Sequence, residues 1–371
     1  MPALLSQILP FIFVIGIVVV VHEFGHYIAA RSVGIRVERF SVGFPPRMIG
    51  KKIGDTDYCI SWVPLGGYVK MAGMIDESME NPEKITGAPD EFMSKNFLQK
   101  SWVISAGVIL NFLLAWVIYS ATIIAQGNPI PSDEAFVTMV SEDQPAGQAG
   151  LEPGDKLLSI DGVDIASWDS AVEKIHGSAG VPIDLVWERE GERMEATLTP
   201  APKEQADGTE IGLIGIQGTP GIKGYEPVGV GEGMAAGWRQ TEWVLSTVVD
   251  SIKKLVTGGA SVKDLGGPIV IAKWSAEVAE QGFVALLRFV AFISINIGFL
   301  NILPIPVLDG GHLVFILLEA VARRPIPTKI KLAIQQVGMI GLLIFMAFVL
   351  WNDAANHTGL LSRVIGLFSK S

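Results

Sequence analysis

Val18-Val19-Val20-Val21-His22-Glu23-Phe24-Gly25-His26 closes an apolar run that begins at Ile8 and carries no charge before Glu23. His22 and His26 are four positions apart, so a helix sets both imidazoles on one face, spaced to share a metal ion. Glu23 stands beside them, placed to take a proton from a metal-bound water. An HExxH match arises by chance in soluble chains, but here it follows a run apolar enough to enter a bilayer. Ionisable groups at that depth are costly and mark function. The bland alternative is a helix end whose polar side chains snorkel to water.

The rest of the chain agrees with a membrane setting. It has 371 residues, 49% of them hydrophobic and 18% charged, with a mean hydropathy of +0.43. That is too apolar for an ordinary soluble enzyme, yet it leaves room for a water-facing domain. A net charge of −10 argues against a nucleic-acid partner. Cys59 is the single cysteine, which rules out a disulfide framework within the chain. Four apolar segments are long enough to cross a bilayer, at residues 5–30, 102–125, 283–303 and 332–351. The first lacks the basic flank and small-residue cleavage site of a signal peptide, and cleavage would discard His22 and His26. It is read as a retained span.

Charge orients these spans. Residues 1–30 contain no Lys or Arg, whereas residues 31–100 contain ten, and Arg323, Arg324, Lys329 and Lys331 follow the third segment. Residues 127–282 hold 25 acidic against 11 basic side chains. The positive-inside rule puts the basic loops in the cytoplasm, and the acidic stretch and both termini outside. His22 and His26 then lie near the cytoplasmic side.

Between the first two spans, Tyr58-Cys59-Ile60-Ser61-Trp62-Val63-Pro64-Leu65-Gly66-Gly67-Tyr68-Val69-Lys70-Met71 reads as two extended runs flanking a Pro/Gly turn. It is a hairpin apolar enough to dip toward the membrane, with a plain cytoplasmic hairpin as the equal alternative. Residues 76–96 read as a polar surface loop. In the second span, Asn111 follows the small residues Ser105, Ala106 and Gly107. Helix-to-helix glue is its expected role, with a place in the site second.

Beyond Gly127 the composition becomes that of a soluble β-domain. Strand-like runs at 135–140, 156–160, 183–188 and 195–198 alternate with turns, and 167–175 reads as a short helix. Within it, Ala149-Gly150-Leu151-Glu152-Pro153-Gly154-Asp155-Lys156-Leu157-Leu158-Ser159-Ile160-Asp161-Gly162 resembles a PDZ domain of the bacterial protease type. Such domains take a peptide as an added strand. Residues 233–256 place apolar side chains at helical spacing, with Lys253 and Lys254 on another face. Such a helix lies on the membrane surface or packs under the β-domain.

The third span ends in Asn301-Ile302-Leu303-Pro304-Ile305-Pro306-Val307-Leu308-Asp309-Gly310-Gly311-His312. Its prolines break the helix and free backbone groups. Asp309 comes out on the same side as His22 and His26, so it is the expected third ligand of a site that needs three. His312 is the competitor for that place.

HEFGH at 22–26 together with NILPIPVLDGGH at 301–312 resembles the site-2 protease family of intramembrane zinc metalloproteases. The Gly-Gly-Tyr hairpin, the external PDZ region and Gly266-Gly267-Pro268 narrow the resemblance to the bacterial RseP-like branch, although with one PDZ domain where the best-known members carry two. It implies an α-helical polytopic membrane protein of about four transmembrane helices, with a membrane-associated β-hairpin and an inserted extracytoplasmic PDZ domain. The expected layout is 1–126 for helices 1–2 and the hairpin, 127–220 for PDZ, 221–282 for amphipathic linker helices, and 283–371 for helices 3–4.

The resemblance further implies Zn2+ held by His22, His26 and Asp309, with Glu23 as general base. It implies substrate held by Asn301, Gly66, Gly67 and Tyr68, and cleavage of transmembrane segments of the anti-sigma-factor type or of remnant signal peptides. The setting is a bacterial inner membrane, with membrane lipid and a PDZ-bound peptide as partners. A metal-binding transporter and a non-catalytic PDZ adaptor are the rival classes. Four spans without an inverted repeat, and a Glu23 left without a task, count against the transporter; zinc analysis with a cleavage assay separates the adaptor.

Overall fold

The computed structural model describes residues 2–74, 86–141, 143–204, 209–259 and 266–357. The chain divides into two compact units, Met1–Ile123 with Val230–Ser371, and Ile124–Gly229.

The first helix, α1 (Pro2–Ser32), contains the HExxH residues. A helix satisfies every backbone group of its apolar run without water. It stops at Gly34, whose φ of +71° suits glycine, and Ile35 N–H then donates back to Ala30 O at 2.9 Å. Two antiparallel strands follow, β1 (Val37–Ile53) and β2 (Thr56–Met71). The tight turn between β1 and β2 falls at Gly54, with φ +61°; the chain reverses again around Pro64-Leu65-Gly66-Gly67, but the arms on either side of it pair with β1 and not with each other. Ser41 partners both Tyr68 and Cys59, and Val42 both Gly67 and Ile60, so the first half of β1 lies between two arms of β2. Of the expected polar loop, 76–85 lies outside the described residues, and the remainder includes a 3-10 turn at Phe92–Ser94. Then comes α2 (Phe97–Gln126).

The β unit contains β3 (Asn128–Val140), α3 (Pro145–Gln148), β4 (Lys156–Ile160), β5 (Val163–Asp164), α4 (Trp168–His176), β6 (Ile183–Arg189), β7 (Glu192–Leu198), β8 (Ala201–Glu204), β9 (Glu210–Leu213) and β10 (Ile216–Glu226). The main sheet runs β10-β3-β4-β6-β7, with β5 paired to β4 and a separate β8-β9 ribbon. Leu157, Ile160, Leu185, Trp187 and Ile214 fill its core. Ser167 and Ser170 form a capping box on α4, which turns Ala171 and Ile175 inward. The buried Asp155 accepts from Arg189 Nε at 2.7 Å and Nη2 at 2.8 Å.

Returning to the helical unit, α5 (Val230–Val256), α6 (Pro268–Glu280), α7 (Phe283–Ile302), α8 (Asp309–Ala322) and α9 (Thr328–His357) complete the chain. Four helices are long and apolar enough to span a membrane: Ile8–Ser32, Phe97–Gln126, Phe283–Ile302 and Thr328–Ala354. The shorter α8 was not expected as a separate helix. Val14 and Val18 of α1 pack on Leu286, Val290 and Ile293 of α7, while Ala29 and Ala30 pack with Val69 on β2 and Val103 on α2. The amphipathic α5 buries part of its apolar face within the helical unit. Its Val244 and Val248 pack against Ala115 and Tyr119 of α2 and Ala291 and Ile295 of α7. At the far end of α9, the fully buried Asp353 accepts backbone N–H groups from Gly267 (2.9 Å), Ile269 (3.1 Å) and Val270 (3.4 Å), capping α6.

Candidate metal centre

Three close approaches build the site. Glycine at 25 lets α1 and α2 touch along their backbones: a Cβ there would lie 2.5 Å from Ala106 O. Gly107 on α2 faces the imidazoles directly, and a Cβ on it would strike His26 Nε2 and come 2.8 Å from His22 Cε1. Gly310 and Gly311 let the start of α8 fold back against the carbonyls of Leu303 and Ile305, so that the chain reverses after its two prolines. That reversal carries Asp309 to α1.

The result is a convergence of three lone-pair atoms. His22 Nε2 and His26 Nε2 are 3.2 Å apart. Asp309 Oδ2 is 3.2 Å from the first and 3.4 Å from the second. His22 and His26 are buried and Asp309 nearly so. His26 Nδ1 lies 2.9 Å from the carbonyl of Val103, which only accepts. Nδ1 therefore carries the hydrogen and Nε2 presents its lone pair to the centre. Asn111 stands 3.2 Å from His22 Nδ1, and its Oδ1 is buried without a donor. Turning the amide over gives Oδ1 the His22 Nδ1–H and leaves that Nε2 free as well.

Asp309 Oδ2 is itself buried with no hydrogen bond. Two imidazole lone pairs and a carboxylate oxygen at such separations repel one another unless a cation sits among them. Bonds of roughly 2.0–2.2 Å at a tetrahedral centre set neighbouring ligand atoms about 3.3 Å apart. The observed triangle matches that edge length, so these residues fit a tetrahedral metal with one position left open.

Around the triangle, Glu23 lies against the hairpin: a Cβ on Gly67 would be 2.9 Å from Glu23 Cγ. Asn301 Nδ2, in the last turn of α7, is 3.4 Å from His22 Nε2. The other two hairpin residues face elsewhere. Gly66 accommodates the Phe44 ring, and the Tyr68 hydroxyl accepts from Arg39 at 2.9 Å. His312 is not part of the triangle; its Nε2 lies 3.4 Å from Gln335 Nε2. Asn111, expected chiefly as glue, turns its side-chain amide to His22; the helix-to-helix bond from Ser294 Oγ of α7, 2.9 Å, goes to its backbone carbonyl. Gly107 and the Val103 carbonyl went unread in the sequence. The signal was the four-residue spacing from Val103 to Gly107 to Asn111, one helix face. On the hairpin's own surface, a hydrogen bond from Arg47, with Arg39 adding its charge, holds the Asp57 carboxyl below the usual carboxylate range.

A family profile described as Peptidase family M50 matches residues 10–345. The chain belongs to peptidase family M50. It is 36% identical over 366 residues to a putative zinc metalloprotease, mll0638, of Mesorhizobium japonicum, covering 94% of this chain and 98% of that protein. The zinc metalloprotease RasP of Bacillus licheniformis is 30% identical over 424 residues, covering 94% and 99%. Among solved structures, the PDZ domain of the SdrC-like protein Lmo2051 of Listeria monocytogenes is 24% identical over 24% of this chain and 90% of that domain, with a TM-score of 0.21. The family match and four spanning helices make this M50 chain a membrane peptidase, as the motifs at 22–26 and 301–312 led one to expect.

Proposed function

We propose that this M50 chain is an intramembrane zinc endopeptidase that cuts the transmembrane segments of single-span proteins in a bacterial inner membrane. The carrying observation is the lone-pair triangle of His22, His26 and Asp309, supported by relatives named as zinc metalloproteases. When bound, zinc acts as a Lewis acid on the scissile carbonyl and acidifies water. Glu23 takes the proton of the attacking water and returns it to the leaving amine. Val103 and Asn111 hold the two imidazoles in the tautomer that ligates. Asn301 offers its amide to the substrate backbone beside His22.

A transmembrane helix resists hydrolysis because its backbone bonds are internal, and unwinding it in a dry setting costs several kcal/mol per freed amide. The arm of β2 at 67–71 pairs with β1 on one edge only, among the described residues. Its other edge can pair with an unwound substrate and offset that cost. Gly67 brings this arm against Glu23, which makes it the functional member of the Gly66-Gly67-Tyr68 set. The basic loops put this end of the bundle toward the cytoplasm and the β unit outside. There a PDZ-like unit admits substrates already shortened, of the anti-sigma-factor or remnant-signal-peptide type.

The test is cleavage of a model single-span substrate by the reconstituted chain. Glu23→Gln should bind zinc normally and cleave about 10²–10⁴-fold more slowly. Asp309→Asn should lose zinc. Unchanged zinc in Asp309→Asn, or full turnover by Glu23→Gln, overturns the assignment.

A further inference from the structure

A charged cavity has His312, three residues beyond Asp309, in its wall. It is walled by Phe92 and Phe315 on its apolar side and by Lys100, Glu319, Lys331 and Gln335 on its polar side. Lys331 is buried and pairs with Glu319 at 2.6 Å. The same carboxylate accepts the Ile326 N–H at 2.9 Å, so its charge is spoken for. Lys100 is left over. It is half-buried against the Phe92 ring, and no carboxylate lies within ion-pair distance of it among the described residues. Arg323, Arg324 and Lys329, just outside, are exposed and likewise without a carboxylate partner among the described residues.

Two helix starts add to this charge. Lys100 is in the first turn of α2 and Lys331 in the first turn of α9, each helix 30 residues long and neither with an acidic side chain in that turn. Their positive dipole ends therefore share the cavity's end of the bundle without compensation. Both helices are candidate spans. Where they begin is the boundary between hydrocarbon and water, and phosphates occupy that boundary.

We propose that this cavity binds the phosphate of an anionic phospholipid, with Lys100 as the half-buried cation and the Arg323–Arg324–Lys329 rim around it. A basic pocket between spans, with an apolar wall for the glycerol and chain ends, suits a lipid better than a free anion. The proposal depends only on the chain being in a membrane.

Native mass spectrometry of the full chain, released from detergent with phosphatidylglycerol or phosphatidylcholine added, tests it. The expected result is retention of one phosphatidylglycerol and little phosphatidylcholine. Each cation removed should weaken retention about fivefold. Lys100→Gln is the direct variant. Arg323→Gln with Arg324→Gln, on the exposed rim, gives the answer if Lys100→Gln fails to fold. Equal retention of both lipids overturns the proposal, as does unchanged retention in a folded variant. Displacement of the lipid by millimolar inorganic phosphate would make it a free-anion site and also overturn it, as would a retained peptide in place of lipid.

Discussion

Two buried carboxylates, one in each unit, are accommodated in opposite ways. In the β unit, buried Asp155 receives two hydrogen bonds from Arg189, and the surrounding core is apolar. In the helical unit, Asp309 Oδ2 is buried with no hydrogen bond and faces two imidazole nitrogens. The first carboxylate is complete as it stands; the second is complete only with a cation. A buried polar atom whose partners are all in place holds a fold together, whereas a converging set left open marks chemistry. Convergence is what counts, since Trp187 Nε1 also lacks a partner but stands alone in its core.

Substitutions sharpen this contrast. The largest effect is expected at Gly107, where an added methyl would occupy the space of His26 Nε2. Gly107→Ala should abolish zinc binding in metal analysis while leaving the β unit's unfolding unchanged. Leu157→Ala should do the reverse, destabilising the β unit by about 2–5 kcal/mol in thermal unfolding with zinc content intact. Loss of zinc in that variant would mean that the two units are not energetically separate. Asn111→Ala leaves His22 Nδ1 without its amide and should weaken zinc about 10–100-fold in competition with a chelator. The smallest effect concerns Asp57. Its carboxyl is held below the ordinary 3.8, so the contribution of its pairing with Arg47 is present at neutral pH and fades as the pH falls through that lowered value. The protection factors of the Asp57 and Lys52 amides against hydrogen exchange should fall only in acid.

The catalytic spine was legible because its signals are local. Two histidines four apart, an acid after a proline break, and four long apolar runs need only helix geometry and hydropathy. The expected reversal at Pro64 and the Gly66-Gly67 pair is present, but its two arms are held apart by the first half of β1, and the turn at Gly54-Asp55 that joins β1 to β2 was not read. Yet the glycines at 66 and 67 are there for close approach to Phe44 and Glu23. Asn111 was under-read because one amide in a span says nothing about which ring it will meet; His22 is 89 positions away. For α5, periodicity showed a face but not its occupant, which comes from Ala115 and Ile295 on two distant helices. The helix α8 was hidden because its apolar residues run on from the proline break without a cap signal.

Asp353 ties the last turns of α9 to three amides of α6, and Lys331 and Gln335 engage Glu319 and His312 at the other end. A strut anchored at both ends cannot swing open like a door. Room for a bulky guest beside the ligands has to come from bowing at mid-length, where Gly338 packs closely on Pro306 and a Cβ on Gly341 would meet only open space. Stiffening those two positions should slow entry without altering the chemistry that follows.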